Sequence, residues 1–394
     1  MVVLLNVVLA AGRPSRELGV LVPPRSNKVL LRVLGRPVLY YPVSGVYQAN
    51  RSTVVIVYRS GEDAVPREAS SALDLPVEFV EQEAGETVRD AILAARKAID
   101  TVDYFLLSFG DLVLDSEAYA KVVNTHLEES PDATILVTPV EPHNVENYGL
   151  VSVDENWLVK RVYSTAGSRP PEAVYTIAGV YILPSRVLDY LEKGLNLPEA
   201  LQRVAESGRV KAVLWTGTWV DVGYPEDLLE AVYQLLSRLR EVRISGKAAV
   251  ERTAVIEGPV VVEEGAYIDH YAVVKGPAYI GKRSFVGAHS FVRDYVDLEE
   301  NSRVGSYSEV KFSSIQPFSL MDSKVTVLNS VLGSESIVGI GVTTLNVLPS
   351  EETPPRLREH VVRGGVFEKK MGAVIGYGAR VPPYTVLKPG SVFK

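Results

Sequence analysis

The sequence contains no cysteine among its 394 residues. Disulfides, thiolate nucleophiles and cysteine-ligated zinc are therefore excluded, so any catalysis must use oxygen and nitrogen groups or a hard metal ion. The absence of cysteine is typical of a reducing cytoplasm, and it also suits a thermophile that avoids chemically labile residues. We therefore expect a cytoplasmic protein.

Basic charge and long apolar runs are also scarce. The chain has 41 Lys and Arg against 48 Asp and Glu, with a formal net charge of -7 and an isoelectric point near 5.5. Nucleic-acid binding needs a basic footprint, so we expect no nucleic-acid partner. The apolar run from Val2 to Ala11 is about half the length that crosses a bilayer, and no basic residue precedes it. It predicts a buried strand, and we expect no membrane segment.

Short β-branched runs alternate with amphipathic helical patterns over the first 240 or so residues. The runs lie at 2–11, 53–58, 77–80, 104–108 and 134–138, and helical patterns lie at 87–99, 117–129 and 225–240. This alternation predicts an α/β domain with a Rossmann-like, mostly parallel sheet, whose ligands gather at the carboxyl ends of the strands. The pair Ser245-Gly246 then predicts a boundary, with domains at 1–244 and 245–394.

A six-residue period replaces that alternation in the second domain. Every sixth residue is aliphatic, at Ile256, Val262, Ile268, Val274, Ile280, Val286, Val292, Leu298, Val304 and Val310, and a small or β-branched residue stands two positions before each. This pattern is typical of a parallel β-helix of triangular section. The period breaks near Pro317, returns at Leu332 and resumes at Ile375. The polar stretch 346–371 predicts an exposed loop that reaches a neighbouring subunit or a ligand.

Several motifs follow one another at recognisable spacing in the first domain. They are Leu9-Ala10-Ala11-Gly12-Arg13-Pro14-Ser15-Arg16 with Lys28 across a loop, Gln82, Gly110-Asp111, Tyr148-Gly149 before VSVD, Ala178-Gly179-Val180-Tyr181, and the segment Trp219 to Leu228. In order and spacing the chain resembles the sugar-1-phosphate nucleotidyltransferases. With its hexad tail it is similar to archaeal bifunctional members that carry an acetyltransferase domain built as a left-handed β-helix.

The resemblance implies that an oxygen of a hexose 1-phosphate attacks the α-phosphorus of a nucleoside triphosphate and that pyrophosphate leaves. A turn after a buried strand points backbone N–H groups at phosphates, and Gly12 permits close approach. Arg16 and Lys28 are the predicted catalytic cations, while Ala11, Gly12, Gln82 and Gly110 are predicted to bind the nucleotide. By resemblance the nucleotide is UTP or dTTP, and the sugar is of the N-acetylglucosamine or glucose type.

Two carboxylates are candidates for a metal site. Asp111 follows a predicted strand and a glycine, and Asp221 ends a second such segment. Together they suit Mg²⁺, which takes few protein ligands and completes its shell with substrate phosphates; the alternative for Asp111 is a helix cap. The resemblance also implies that Tyr148, Gly149 and Gly179 contact the sugar.

The chain departs from the family at several positions. Pro14 stands where a second glycine is usual in the phosphate loop, and Asn27-Lys28 replaces a Pro-Lys pair. Ser164-Thr165-Ala166 replaces a Glu-Lys-Pro segment that meets the sugar phosphate, and Ile177 replaces an asparagine. These changes leave the identity of the sugar open.

The tail departs further from its own pattern. Arg293, Lys311 and Asn346 match acetyltransferase positions that form a second candidate site, but the histidine that acts there as general base falls at Ser323. The five histidines are His126, His143, His270, His289 and His360, and none stands at that position. Because losing a positioned base costs about a hundredfold or more, we predict little acetyltransferase activity.

The leading interpretation is a Mg²⁺-dependent NDP-sugar pyrophosphorylase whose β-helix builds a homo-oligomer, a trimer. One alternative is a regulatory or assembly protein that keeps the fold and has weakened chemistry, since Pro14 and Ser164-Thr165 alter the site. The other is a bifunctional enzyme with acetyl-CoA-dependent glucosamine-1-phosphate acetyltransferase activity that uses an unrecognised base such as His360.

Overall fold

The computed structural model describes residues 4–140, 149–163, 174–347 and 370–394. The chain divides into two compact units. The first is built from Met1–Arg13, Arg25–Leu30 and Val38–Asp221, and the second from Pro14–Pro24, Leu31–Pro37 and Val222–Lys394. No helix in the described ranges is both long and apolar enough to span a membrane.

Helices and strands are interspersed up to residue 244, as the sequence predicts, although several strands follow one another without a helix between them. In chain order they are β1 (Leu4–Leu9), α1 (Arg16–Gly19), a 3-10 turn (Lys28–Leu30), β2 (Arg32–Val33), β3 (Arg36–Pro37), α2 (Tyr40–Ala49), β4 (Val54–Arg59), α3 (Ala64–Ala72), β5 (Val77–Gln82), α4 (Val88–Ala94), α5 (Arg96–Ile99), β6 (Tyr104–Phe109), β7 (Leu112–Leu114), α6 (Ser116–Glu129), β8 (Ala133–Pro139), β9 (Leu150–Val153), β10 (Val159–Tyr163), β11 (Tyr175–Pro184), α7 (Val187–Glu192), α8 (Leu197–Ser207), β12 (Val210–Leu214), β13 (Trp219–Asp221), α9 (Pro225–Leu236) and β14 (Arg243–Ile244). The helix expected over 87–99 is interrupted at Ala95 and forms α4 and α5.

The first unit is organised around one large mixed sheet. Its order is β10-β9-β11-β6-β1-β4-β5, with β8 beside β11 and β12 beside β8. The strands β6, β1, β4 and β5 are parallel neighbours, as are β8 and β12. The α/β fold class is therefore confirmed. The antiparallel strands β9, β10 and β11 form a part of the sheet that the sequence did not predict.

Both faces of this sheet are covered, which explains the continuous apolar sequence of β1. Val7 and Leu9 pack in one core with Ile92 and Leu201, while Val8 packs in the other core with side chains from α2, α3 and α6. Full burial of each Val or Leu contributes about 1.5–3 kcal/mol. The expected buried central strand is confirmed.

The second unit contains the predicted parallel coil. Its remaining strands are β15 (Ala249–Val250), β16 (Val255–Glu257), β17 (Val260–Val262), β18 (Tyr267–Ile268), β19 (Val273–Lys275), β20 (Ala278–Ile280), β21 (Phe285–Val286), β22 (Phe291–Arg293), β23 (Val296–Leu298), β24 (Arg303–Val304), β25 (Glu309–Lys311), β26 (Ser314–Ile315), β27 (Leu320–Met321), β28 (Thr326–Leu328), β29 (Val331–Leu332), β30 (Ile337–Val338), β31 (Thr343–Thr344), β32 (Val374–Ile375), β33 (Arg380–Val381), β34 (Val386–Leu387) and β35 (Val392–Phe393). They form three parallel sheets of 8, 7 and 7 strands, counting β14. The predicted aliphatic positions from Val262 to Val310 are all buried.

The coil continues through the region where the six-residue period of the sequence breaks. Strand partners are 18 residues apart at first, as in Val292 with Val310, and 17 apart in the next turns, as in Val310 with Val327 and Met321 with Val338. Two corners each lose one residue, and Phe312 and Asn329 there have positive φ. The break near Pro317 is therefore a shortened corner. Most of the stretch expected as a loop at 346–371 lies outside the described residues.

The β2-β3 hairpin docks on the coil within the second unit. The Gln316 side chain accepts a hydrogen bond from the Arg32 amide at 2.8 Å and donates to its carbonyl at 2.9 Å. A Glu299 carboxylate oxygen accepts from the Gly35 amide at 2.8 Å. Burial and the proximity of Glu299 raise the pKa of Asp297 well above its usual range.

Candidate active site

The carboxyl ends of the parallel strands supply the loops of the candidate site. The Ala10 amide donates to the Val57 carbonyl at 2.7 Å, and the Gly110 amide donates to the Leu9 carbonyl at 2.8 Å. A Cβ at residue 110 would stand 2.7 Å from the Leu9 carbonyl oxygen, so this close approach requires glycine. The loops after β1 and β6 are thereby held side by side.

Gly12, Lys28 and Asp111 lie together at this edge. The Lys28 Nζ is 2.6 Å from Asp111 Oδ2, and the two side chains are 5% and 15% exposed. A Cβ at residue 12 would stand 3.4 Å from Asp111 Oδ2 and 3.5 Å from Lys28 Cε. The glycine backbone is therefore beside a buried ion pair, and the sequence did not predict that Lys28 and Asp111 pair with each other.

Asp221 reaches the same neighbourhood through a short second sheet. Its strand β13 pairs antiparallel with β7, which places Asp221 opposite Leu112, the residue after Asp111. Within the described ranges no group of three or more His, Asp or Glu side chains forms a complete cation cage. Two carboxylates suit a hard divalent ion that takes its other ligands from phosphates and water, so the residues present fit such an ion.

Gln82 ends β5 and is buried, although a glutamine is usually a surface residue. It is paired in register with Arg59, the last residue of β4. The Arg59 guanidinium lies 3.7 Å from Glu86, which also forms an ion pair with Arg13 of the phosphate loop. Gln82 is therefore held at the strand-end edge of the first unit, beside a group of charged side chains.

A cavity of about 410 Å³ opens beside Asp221. Its apolar lining residues are Val88, Phe109, Ile177, Tyr181, Leu197, Pro198 and Leu201, its polar ones are Thr87, Arg89, Asn196 and Asp221, and Gly149 and Gly194 complete it. Pockets of this size, largely apolar with a few polar groups, are typical of small-molecule sites. Gly149 lines this cavity, and its role as a sugar contact stays a prediction.

Gly179 occupies an irregularity in β11. Its φ is +78°, and the pairing of β11 with β8 shifts register between Ile177 and Tyr181. A Cβ at residue 179 would approach the Phe109 ring at 3.0 Å and Leu112 at 3.1 Å. Glycine is required here because both the backbone conformation and the packing exclude a side chain.

Ala11, Arg16 and Tyr148 complete the residues predicted for the first site. Ala11 is half-buried in the phosphate loop. Arg16 is the first residue of α1, belongs to the second unit and is exposed. Tyr148 and Ser164-Thr165-Ala166 lie outside the described residues. The roles assigned to these positions stay predictions.

Arg293 and Lys311 stand on successive turns of the coil, and Asn346 stands two turns further on. Arg293 and Lys311 are register partners, and the Lys311 carbonyl accepts from the Asn329 amide, whose side chain bonds Asn346 at 2.7 Å. The Arg293 guanidinium is held by Glu309 Oε1 at 2.8 Å and by an oxygen of Asp294 at the same distance. This cation is thus neutralised within the chain.

Ser323 occupies a corner of the coil, with its amide donating to Asp322 Oδ1 at 2.7 Å. Two described histidines of the coil lie earlier, where the His289 ring stacks between Tyr271 and Tyr307, and His270 bonds Thr253. The third, His126, is in the first unit, while His143 and His360 lie outside the described residues.

The candidate site contains several residues that the sequence motifs did not predict. Asn27 and Glu62 bracket the phosphate loop, and Arg89 and Asn196 line the cavity. Only Asn196 carried a usable signal, because Asn196 and Glu199 form the capping box that starts α8 beside the cavity. Asn27 contacts Gly12 and Glu62 across 15 and 35 positions of sequence, and no local pattern marks such contacts.

The fold and the strand-end group define a nucleotide-handling α/β transferase with a parallel β-helix tail. The nucleotidyl transferase family pattern matches residues 5–238, and six bacterial transferase hexapeptide repeats match residues 259–294. The chain belongs to the nucleotidyl transferase family and carries hexapeptide repeats. Within that family it is a sugar-1-phosphate nucleotidyltransferase, as the motifs predicted.

Similar proteins extend over nearly the whole chain. The bifunctional protein GlmU of Methanocaldococcus jannaschii is 30% identical over 393 residues, covering 98% of this chain and 90% of that protein. The bifunctional sugar-1-phosphate nucleotidylyltransferase/acetyltransferase of Sulfurisphaera tokodaii is 26% identical over 372 residues, covering 92% and 88%.

A solved structure shares the fold of the first part. A Bacillus anthracis chain described as a glucose-1-phosphate thymidylyltransferase matches with a TM-score of 0.51 and 18% identity, covering 60% of this chain and 96% of that chain.

Proposed function

We propose that this protein joins UTP or dTTP to a hexose 1-phosphate of the N-acetylglucosamine or glucose type and releases pyrophosphate. The observation that carries the proposal is the grouping of Gly12, Lys28 and Asp111 at the strand ends, with Asp221 on the adjoining ladder. The two archaeal relatives support the reaction class. One is named a bifunctional sugar-1-phosphate nucleotidylyltransferase/acetyltransferase, and the other is named bifunctional protein GlmU.

The reaction forms one P–O bond and breaks another. A phosphate oxygen of the sugar phosphate attacks the α-phosphorus, and the bond from the α-phosphorus to the bridging oxygen of the β-phosphate breaks. The bonding electrons leave with that oxygen, which becomes part of pyrophosphate. No covalent enzyme intermediate is needed, so the protein contributes position and charge.

The residues of the phosphate loop divide this work. The Gly12 backbone lets phosphate oxygens approach the chain, and the Lys28 ammonium balances their negative charge. Arg16 is proposed to hold the triphosphate through its fork of donors. Ala11, Gln82 and Gly110 are proposed to contact the nucleotide, with the Gln82 amide reading the edge of the base.

Asp111 and Asp221 are the residues proposed to hold Mg²⁺. When bound, the ion would neutralise developing charge on the phosphates. In the chain alone, the Lys28 ammonium neutralises the Asp111 carboxylate at 2.6 Å. We propose that Lys28 turns to the triphosphate when substrates bind, which leaves the carboxylate as an oxygen ligand.

The cavity beside Gly149 is the proposed sugar site. Gly149 and Gly179 let the backbone approach the sugar, and Tyr148 is proposed as a further contact. Ile177 and Phe109 supply an apolar wall, and Asn196 and Thr87 supply hydrogen-bonding groups. The apolar wall supports a sugar that presents a ring face or an acyl methyl group to Ile177.

The β-helix is proposed to build a homotrimer in a cytoplasmic protein, with domains at 1–244 and 245–394. A second candidate function is acetyl transfer, which the alignment of Arg293, Lys311 and Asn346 and the names of the relatives favour. Ser323 in place of a basic histidine argues against it. A catalytically weakened assembly protein is the remaining alternative.

Pyrophosphate release from a panel of nucleoside triphosphates and hexose 1-phosphates, with and without Mg²⁺, tests the proposal. Turnover with UTP or dTTP that needs the metal supports it. A folded chain that turns over no pair favours the assembly protein. Consumption of acetyl-CoA with glucosamine 1-phosphate supports the second candidate.

A further inference from the structure

One buried amide joins three parts of the candidate nucleotide site. Asn27 immediately precedes Lys28 and is 2% exposed. Its Nδ2 donates to the Gly12 carbonyl at 3.1 Å and to Glu62 Oε2 at 2.8 Å, while its Oδ1 accepts from the Val29 amide at 3.1 Å. The side chain thus connects the phosphate loop, the turn of Lys28 and the segment after β4.

The bond to Gly12 sets the direction of a peptide plane. In a trans peptide the carbonyl and the following N–H point to opposite sides. Because the Gly12 carbonyl faces Asn27, the N–H of Arg13 points away from it. Asn27 therefore fixes how the phosphate loop presents a backbone donor.

The bond to Val29 holds the turn that carries the lysine. The Leu30 amide donates to the Asn27 backbone carbonyl at 3.0 Å, and the Val29 amide donates to its side chain. A side chain that bonds its own backbone two residues on is the Asx turn, which stabilises a tight bend. Lys28 lies inside this bend, so its Cα is fixed relative to Gly12.

Glu62 determines which way the Asn27 amide faces. An ionised carboxylate only accepts hydrogen bonds, so it selects the Nδ2 side of the amide. Burial raises the pKa of Glu62 above its usual value, and the hydrogen bond from Asn27 and the nearby Arg59 offset only part of that rise. With Nδ2 turned to Glu62 and Gly12, Oδ1 is left for Val29.

We propose that Asn27 and Glu62 are positioning residues for the triphosphate, a polar bracket that does the work of the proline that Asn27 replaces in the family pattern. The bracket acts through Gly12 and Lys28 and touches no reacting atom. The inference rests on the proposed function, because it concerns where the triphosphate binds. It predicts that loss of the bracket weakens triphosphate binding and leaves sugar-phosphate binding nearly unchanged.

The test compares Asn27→Ala, Glu62→Ala and Glu62→Gln in the full chain. Triphosphate affinity is measured by equilibrium binding of UTP, dTTP, ATP and GTP with Mg²⁺, and KM is measured separately for the triphosphate and for the sugar phosphate. Asn50→Ala is the matched control. Its Nδ2 donates to Leu4 and Asn6 in the first half of β1 and to Ser52 just before β4, at the strand ends opposite to the one that Gly12 follows.

We expect Asn27→Ala and Glu62→Ala to raise the triphosphate Kd and KM about tenfold or more, with the sugar-phosphate KM changed less than about twofold. Glu62→Gln keeps an oxygen acceptor and should return most of the affinity. Asn50→Ala should lower the thermal midpoint by at least as much as Asn27→Ala does. Its triphosphate affinity should stay at the wild-type value.

The inference is overturned if wild type binds the triphosphate and Asn27→Ala binds it equally well, or if Asn27→Ala and Asn50→Ala weaken both substrates alike. A wild-type chain that binds none of the four triphosphates contradicts the proposed function, and the inference with it. Binding without turnover contradicts only the proposed reaction and leaves the comparison of affinities decisive.

Discussion

The Lys28 ammonium and the Asp111 carboxylate form an ion pair of 2.6 Å in which both side chains are largely buried. Lys28 follows the loop after β1, and Asp111 lies in the turn after β6. Burying such a pair costs desolvation energy, which the attraction between the two charges must offset. A chain selected for stability alone would gain as much from apolar residues. The pair is better explained by a site that needs one cation for phosphate and one carboxylate for a metal.

Removing the cation tests this explanation. Lys28→Met leaves the Asp111 carboxylate without its 2.6 Å partner, and we expect a loss of about 3 kcal/mol in the free energy of unfolding with about a hundredfold or greater loss of turnover. The double variant Lys28→Met/Asp111→Asn should regain part of the stability and none of the turnover. Urea unfolding and pyrophosphate release measure the two effects. Recovery of turnover in the double variant would contradict the assigned roles.

The sugar side of the site can be tested separately. An alanine at Gly149 places a methyl group 3.3 Å from Ile177 Cδ1 on the wall of the cavity. We expect Gly149→Ala to raise the sugar-phosphate KM about tenfold and to leave the triphosphate KM near wild type. Gly246→Ala is the control, because a Cβ there meets nothing within 4 Å. Equal effects on both substrates would contradict the assignment of the cavity.

His126 predicts a pH dependence of stability. Its Nδ1 is 2.9 Å from Thr134 Oγ1, and burial lowers the pKa of the imidazole to about 4 from 6.5. Between pH 6.5 and about pH 4, His126 is protonated in the unfolded chain and neutral in the folded chain. The histidine therefore lowers the free energy of unfolding as the pH falls from about 6.5 to about 4.

The measurement compares wild type with His126→Asn, which can still bond Thr134 and cannot take up a proton. The comparison with the variant is needed because Asp297, whose pKa is raised, changes the free energy of unfolding in the opposite direction as the pH falls. Relative to the variant, wild type should lose on the order of 2–3 kcal/mol across that window. Parallel stability curves would contradict the assignment.

The tail makes a prediction of its own. With Ser323 at the position of the general base, we expect acetyl transfer from acetyl-CoA to glucosamine 1-phosphate to be at least about a hundredfold slower than nucleotidyl transfer. Ser323→His should raise acetyl transfer and leave nucleotidyl transfer unchanged. Acetyl transfer by wild type at a rate comparable to nucleotidyl transfer would show that another residue supplies the base.

The coil was predictable because its constraint is local. Each hexad must put one aliphatic side chain inside, so the aliphatic residues from Val262 to Val310 show the six-residue period in the sequence itself. The shortened corners at Phe312 and Asn329 were not predicted, since a loss of one residue leaves the aliphatic residues in place and changes only their spacing. Ile315 and Leu332 keep the interior filled after each shortened corner.

The site was predictable where it follows strand ends. Gly12 and Asp111 each come after a buried strand, and parallel strands bring such loops to one edge. The Asn27 to Glu62 contact spans 35 positions, and the Arg32 to Gln316 contact spans 284. Contacts of that kind depend on how the loops and the hairpin pack. The periodicity of the sequence carries no information about that packing.

The most direct test of the account measures pyrophosphate release by wild type and by Asp111→Ala, with Mg²⁺, across triphosphates and hexose 1-phosphates. We predict that wild type turns over UTP or dTTP with an N-acetylglucosamine or glucose 1-phosphate and that the folded variant loses at least about a hundredfold in rate. Unchanged turnover in Asp111→Ala, or no turnover by wild type with any pair, would contradict it.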